Sequence, residues 1–323
     1  MNWRYLITLF LSCSCHFLPS LEFEEYRSAF RKNYQSLSEA TQRKSLFERN
    51  LARVQQHNNN PSRTFSMAVN HFSDRTESEL AAWVMQTNPC AAPLFNATQE
   101  LEGMPSNFDW RTYGVVTPVR DQGSCGASWA ITAAGAVESH WAIINNSTPP
   151  LLSPQQLIDC SQAFSNDGCV NGLPSQAFEY IEYANGLTSE AIYPYAGIQH
   201  SCWTNISIEA QVPLGSINIT AGNEIGLQQA ICYSGPTAVV FSVTPDFYQY
   251  SSGVYSNPNC SSTLAHAGLV VGYGTDSVSG LQYWTVKNSW GSGWGQAGYF
   301  NIQRGNNTCG IANCAAYPNV SGS

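Results

Sequence analysis

The chain has 323 residues, 43% of them hydrophobic and 11% charged, which is enough for two or three compact units with real cores. Its formal net charge of −8 and the lack of any basic stripe exclude a nucleic-acid partner, since such proteins need clustered Lys and Arg to displace counterions.

The first twenty residues read as a secretory leader. Arg4 sits in a short n-region, the run Tyr5-Leu6-Ile7-Thr8-Leu9-Phe10-Leu11-Ser12-Cys13 is apolar, and small and polar residues follow toward Ser20. The run is too short to span a bilayer, so no membrane partner is expected once it is removed. Asn96, Asn145, Asn146, Asn205, Asn218, Asn259, Asn306 and Asn319 each begin an Asn-x-Ser/Thr sequon. Beyond the leader, Cys90, Cys125, Cys160, Cys169, Cys202, Cys232, Cys260, Cys309 and Cys314 are widely spaced, as in a disulfide framework built in an oxidising compartment. Secreted and lysosomal destinations both fit. With no CxxC pair and no His cluster, neither a metal nor a cofactor is expected.

From about Glu22 to Met85 the chain is rich in Glu, Arg, Gln and Asn. Glu39, Arg43, Phe47, Asn50, Val54 and Asn58 recur at intervals of four, four, three, four and four, which places them along one stripe of a helix. Asn70-x-Phe72-x-Asp74 and Ser78-Glu79-Leu80 follow. A polar, Pro- and Asn-containing stretch from Thr87 to Met104 reads as a linker.

The next segment, Asp121-Gln122-Gly123-Ser124-Cys125-Gly126-Ala127-Ser128-Trp129-Ala130, leads into a predicted helix from Trp129 to Ala142. Ala130, Ile131, Ala133, Ala134 and Val137 give that helix an apolar face. Ser128 stands near its N-terminus, where developing negative charge is stabilised. Farther on, Leu264-Ala265-His266-Ala267-Gly268 opens an apolar strand, and Tyr283-Trp284-Thr285-Val286-Lys287-Asn288-Ser289-Trp290-Gly291 closes the pattern.

In order and spacing, these blocks resemble papain and the cathepsin L-like peptidases, from Glu22 to Val320. The Glu/Arg/Phe/Asn stripe and the Asn-x-Phe-x-Asp block resemble their propeptides, with Ala68 where Gly is usual. The resemblance implies an α+β, papain-like two-domain fold: a helical left domain from about Trp110 to Tyr195, a β-barrel right domain after it, and a helical inhibitory propeptide in front. It divides the chain into a signal peptide (1–20), a propeptide inhibitor domain (21–103) and a peptidase domain (104–323), a monomer whose interdomain groove takes a peptide, a protein or its own propeptide.

Carried over by position, Gln122 is the oxyanion-stabilising amide, His266 the base, Asn288 its orienting partner and Trp290 the shield over that pair. Gly172 pairs with substrate backbone, while Leu173, Pro174, Val240 and Ala265 line an apolar pocket with Cys314 at its floor. The resemblance also implies disulfides Cys125–Cys169, Cys160–Cys202 and Cys260–Cys309. Cys90, Cys232 and Cys314 are left over. Cys314 either pairs with Cys232 or stands as a free thiol at the pocket floor, and pairing is favoured because a free thiol is a liability where disulfides form.

The family carries its nucleophilic Cys where this chain has Ser128. In such enzymes the thiol is ionised before substrate arrives, whereas an alcohol attacks only as a neutral His removes its proton. Asn288 offers the resulting imidazolium no carboxylate, and a hydroxyl in a site shaped for sulfur sits farther from its targets, a misplacement that can cost about 100-fold. Ala127, where Ser is common, and Asn171, where Gly is usual, are further departures, and Asn171 is expected to crowd the groove. Proteolysis by descent, weak or absent in this chain, with peptide or protein binding retained, is therefore expected. The alternative is an active Ser-His-Asn hydrolase or a condensing enzyme like the silicateins, whose Gly-Ala-Ser resembles Gly126-Ala127-Ser128.

Overall fold

The computed structural model describes residues 23–85, 94–95, 103–210, 215–260 and 263–319. The expected leader, most of the linker with Cys90, and the sequon at Asn96 lie outside the described residues.

Helices α1 (Phe23–Ala29) and α2 (Leu37–Asn58) open the chain. Ser36 starts α2 by accepting the Glu39 backbone N–H on its side chain, which satisfies one of the orphan donors of the first turn. Among the α2 residues, Phe47, Asn50 and Val54 are buried. The stripe read from the sequence is the docking face, and its polar members bind chain rather than water. Arg43 grips the Glu79 carboxylate through both terminal nitrogens, at 2.5 and 2.7 Å. Asn50 donates to the Ser73 carbonyl, and Asn58 exchanges two hydrogen bonds with the backbone of Met67. The helix thereby shapes the segment containing β1 (Phe65–Met67) and α3 (Glu77–Leu80). Asp74 accepts from Tyr26, Lys32 and Tyr34. Burial acts to raise its pKa, but these bonds and the Lys32 charge hold it below the usual carboxylate range.

After β2 (Leu94–Phe95) and β3 (Phe108–Asp109) come three helices, α4 (Ser128–Asn145), α5 (Pro154–Cys160) and α6 (Pro174–Tyr183). The sequence predicts one apolar face for α4, yet every residue from Ser128 to His140 is buried. Small side chains make this possible: Ala133, Ala134, Gly135 and Ala136 let α5 and α6 approach on one side and β5, β7 and β10 on the other.

The remaining elements are β4 (Ser216–Ile219), α7 (Glu224–Tyr233), β5 (Thr237–Phe241), β6 (Tyr250–Tyr255), β7 (His266–Thr275), β8 (Gln282–Lys287), β9 (Tyr299–Gln303) and β10 (Cys314–Pro318). The strands form one sheet in the order β1-β6-β9-β8-β7-β5-β10-β4-β2, with β3 paired to β7. Its aromatic core holds Phe241, Trp284, Trp294 and Phe300. β1 is thus an edge strand contributed by the N-terminal region to β6, in the mode of strand addition. Phe65 faces Gly253 there. A Cβ on Gly253 would stand 2.7 Å from the Thr64 carbonyl oxygen, and its φ is +86°, so glycine serves both the close approach and the backbone angle.

Cys125–Cys169, Cys160–Cys202 and Cys260–Cys309 are disulfides. The favoured pairing of Cys314 with Cys232 is not what forms: Cys232 is a free thiol, and Cys314 is disulfide-bonded to a cysteine outside the described residues. The register explains this. Cys314 lies opposite Val240, near the end of β5, whereas Ser234, just past Cys232, reaches Tyr317 at the other end of β10, about 10 Å along the strand. The free-thiol alternative for Cys314 falls with the same observation. One sequon is also closed off: Asn218 is buried in β4 between β10 and β2, with its amide on Ser216.

Candidate active site

Three elements bring the sequence-derived residues together. Ser128 is the first residue of α4 and His266 the first of β7, while Asn288 and Trp290 lie just past the end of β8. The ribbon carrying Gln122 is laced to that last segment: the Gln122 N–H donates to the Ser289 carbonyl, and the Gly291 N–H to the Arg120 carbonyl. Ser128, His266 and Gln122 are all fully buried.

His266 Nε2 lies 2.7 Å from Asn288 Oδ1. That oxygen also accepts the Ser289 backbone N–H at 2.8 Å, and because an N–H can only donate, the Asn288 atom is fixed as oxygen. Nε2 is therefore the protonated nitrogen. His266 Nδ1 is buried and makes no hydrogen bond to Ser128. Burial lowers the His266 pKa to about 4, against the opposing pull of Asn288 and of the Trp83 carbonyl, so the ring is neutral at ordinary pH. Trp290 lies against it, centroids 4.7 Å apart.

Ser128 Oγ has a partner the sequence did not suggest. It accepts the Ala267 backbone N–H at 3.1 Å. No motif signals this bond, because it depends on how closely the first turn of α4 approaches β7.

Gln122 is oriented by Ser289, whose hydroxyl donates to Oε1 at 2.6 Å. Its amide nitrogen then donates to the carbonyls of Cys125 and Trp83, at 2.8 and 3.2 Å. The Trp83 carbonyl thus takes an amide hydrogen aimed into the site, and the Met85 N–H donates to the Ala265 carbonyl at 2.6 Å. Met85 is buried in the same apolar cluster as Leu173, Val240 and Cys314. The strand register aligns Cys314 with Val240 and Val240 with Ala267, so Ala267 joins that row while Ala265 contributes its carbonyl. Pro174 is buried in the first turn of α6.

Gly172 has a steric role: a Cβ there would stand 2.4 Å from the Trp129 ring. Asn171 does not use the left-handed backbone region, and its N–H and carbonyl both pair with Asp167. Glycine's conformational freedom is not needed at 171.

A profile described as papain family cysteine protease matches residues 104–319. The chain belongs to that family. The cathepsin propeptide inhibitor domain (I29) matches residues 23–80, so this papain-family chain carries the zymogen's N-terminal domain. Among known proteins it is 42% identical to pro-cathepsin H of Mus musculus over 307 residues, covering 93% of this chain and 91% of that protein. It is 40% identical to the thiol protease aleurain of Arabidopsis thaliana, covering 93% and 84%. Its fold matches digestive procathepsin L2 from the larval midgut of Tenebrio molitor, with a TM-score of 0.83 at 35% identity, covering 92% of this chain and 98% of that one. As a papain-family zymogen, the chain presents residues Trp83 to Met85 to the row of site residues just described.

Proposed function

We propose that this protein is a secretory-pathway member of the papain family in which Ser128 has replaced the nucleophilic Cys, so that its groove binds peptides or a protein partner and cleaves them weakly or not at all. The observation that carries the reading is the mismatch between the two reacting groups. Ser128 Oγ takes its hydrogen bond from the Ala267 N–H, and no hydrogen bond joins it to His266. A serine nucleophile requires a bond to that base. Gln122, Asn288 and Trp290 keep the geometry that a bound peptide would meet, and Met85 marks an apolar subsite beside Leu173 and Val240. The leader, the sequons and the disulfides support delivery outside the cytosol, as a secreted or lysosomal protein. In this reading residues 1–20 are the signal, 21–103 the propeptide and 104–323 the mature chain.

The test compares hydrolysis of a fluorogenic dipeptide substrate by the matured protein, by Ser128→Cys and by Ser128→Ala. Cleavage by the Cys variant alone supports the reading. Turnover by the natural protein clearly above that of Ser128→Ala refutes it.

One observation favours a second reading, a working Ser-His-Asn hydrolase or a silicatein-like condensing enzyme: His266 is neutral, the state in which an imidazole can act as base toward an alcohol. Incubation with a silicon alkoxide decides it. Product no greater than that of Ser128→Ala sinks this second reading.

A further inference from the structure

A cavity of about 620 Å³ lies far from Ser128. It forms where β3 and the turn after it lie across β7, β8 and β9, and Tyr273 in its wall is seven residues along β7 from His266, about 23 Å at strand rise. Its lining combines aromatic rings with planar polar groups. Tyr113 is 63% exposed and stacks on Phe108 with its ring centroid 5.7 Å away. Arg111 grips Asp109 through Nε and Nη2, the latter at 2.7 Å, and lies over Tyr299 at 4.7 Å. Thr285 donates to Asn301 Oδ1 at 3.1 Å, which leaves the Asn301 amide hydrogens for a ligand. Gln296 donates its amide to Tyr250, leaving its carbonyl oxygen as an acceptor.

We propose that this cavity binds a short neutral oligosaccharide. Vicinal hydroxyls both donate and accept, and the guanidinium, carboxylate and side-chain amides here offer paired donors and acceptors in planes. Tyr113 supplies a ring surface for the C–H face of a pyranose. The charge argument separates neutral sugars from sulfated ones: Asp109 neutralises Arg111, and the other lining residues bring no cation. An apolar ligand would desolvate the Arg111–Asp109 pair without compensation. A peptide strand would need an unpaired sheet edge of some length: β8 and β9 are each paired on both sides, β7 is flanked by β5, β8 and β3, and β3, which pairs with β7 alone, is only 2 residues long.

The experiment titrates the full-length protein with cellotriose, chitotriose and maltotriose, read by saturation-transfer NMR and calorimetry, with a chondroitin sulfate trisaccharide as the charged contrast. Binding of at least one neutral trisaccharide is expected, weakened about tenfold by Tyr113→Ala and by Asn301→Ala, in keeping with loss of one ring contact or one hydrogen bond. Both variants should keep the parent melting temperature. The proposal is overturned if no neutral sugar binds, if binding is unchanged in both variants, or if only the sulfated sugar binds.

Discussion

Helices α2 and α4 are the two long helices among the described residues, of 22 and 18 residues, and they are held in opposite ways. α4 is buried on all sides from Ser128 to His140 and packs through Ala and Gly against helices and sheet. α2 buries Phe47, Asn50 and Val54 and otherwise docks through Arg43, Asn50 and Asn58 on the chain that follows it. Apolar packing is indifferent to pH, whereas charge-assisted bonds respond to it. The difference suits a fold in which one helix carries Ser128 and the other belongs to the propeptide inhibitor domain.

The largest expected effect comes from the one ionic network α4 does bury. Glu138 is completely inaccessible, bonded to Arg120 at 2.6 Å and to the Leu152 N–H at 2.8 Å. Thr117 also donates to Glu138 and accepts from the buried Lys287 at 2.9 Å. Burial lowers the Lys287 pKa to about 8 even though Glu138 opposes the shift. Glu138→Ala should destabilise the papain-family domain by about 3–5 kcal/mol, because Lys287 would lose its buried counter-charge and Arg120 would keep only Glu190, at 2.9 Å. Denaturant unfolding of the whole zymogen measures it, and a loss under 1 kcal/mol would mean that α4 is held by apolar packing alone.

On α2 the matching break is Arg43→Ala. It removes a two-pronged bond to Glu79, whose pKa that bond depresses to about 2. The expected cost is about 1.5–3 kcal/mol, confined to the N-terminal domain. Hydrogen exchange should quicken in residues 65–80 and stay unchanged in α4. Equal acceleration in both would erase the contrast between the two helices.

The smallest effect concerns pH. Burial lowers the His71 pKa to about 4, with the Asp121 charge opposing, Lys32 and Arg75 reinforcing and Asp74 opposing. Its ring packs against Phe72 and Trp83, and its Nε2 has no partner among the described residues. A folded pKa below the unfolded value of 6.5 means that the released state binds the proton more readily, so stability is full above about 6.5 and is lost as pH falls toward 4. His71→Phe should remove about 1–2 kcal/mol of that acid loss. Melting curves at pH 7 and pH 4.5 for both proteins give the answer, and an unchanged difference would place the pH response elsewhere, for example at Glu79 below pH 4.5.

Much of this fold is legible in the residues because its signals are local. The stripe from Glu39 to Asn58 and the helix after Ser128 follow from side-chain period, and the order of the Gln122, His266 and Asn288 blocks is specific in combination. Legibility fails where two distant segments must touch. The burial of α4 on every side could not be read from its face pattern, since small residues look permissive in sequence and become obligatory only when helices and sheet close on them. Cys314 is another such case: it and Cys232 look like a pair until the register places Cys314 at one end of β10 and brings the end of α7, which carries Cys232, to the other.

By itself, the sequence determined the family, the N-terminal inhibitor domain, and a serine at the head of the helix where chemistry would occur, because these are matters of residue identity and short-range spacing. Only the tertiary structure decided what that serine touches. The Ala267 N–H on its Oγ and the Trp83 carbonyl on Gln122 depend on how elements separated by tens of residues are placed to within an ångström, and hydrogen bonds are lost or made within just such shifts.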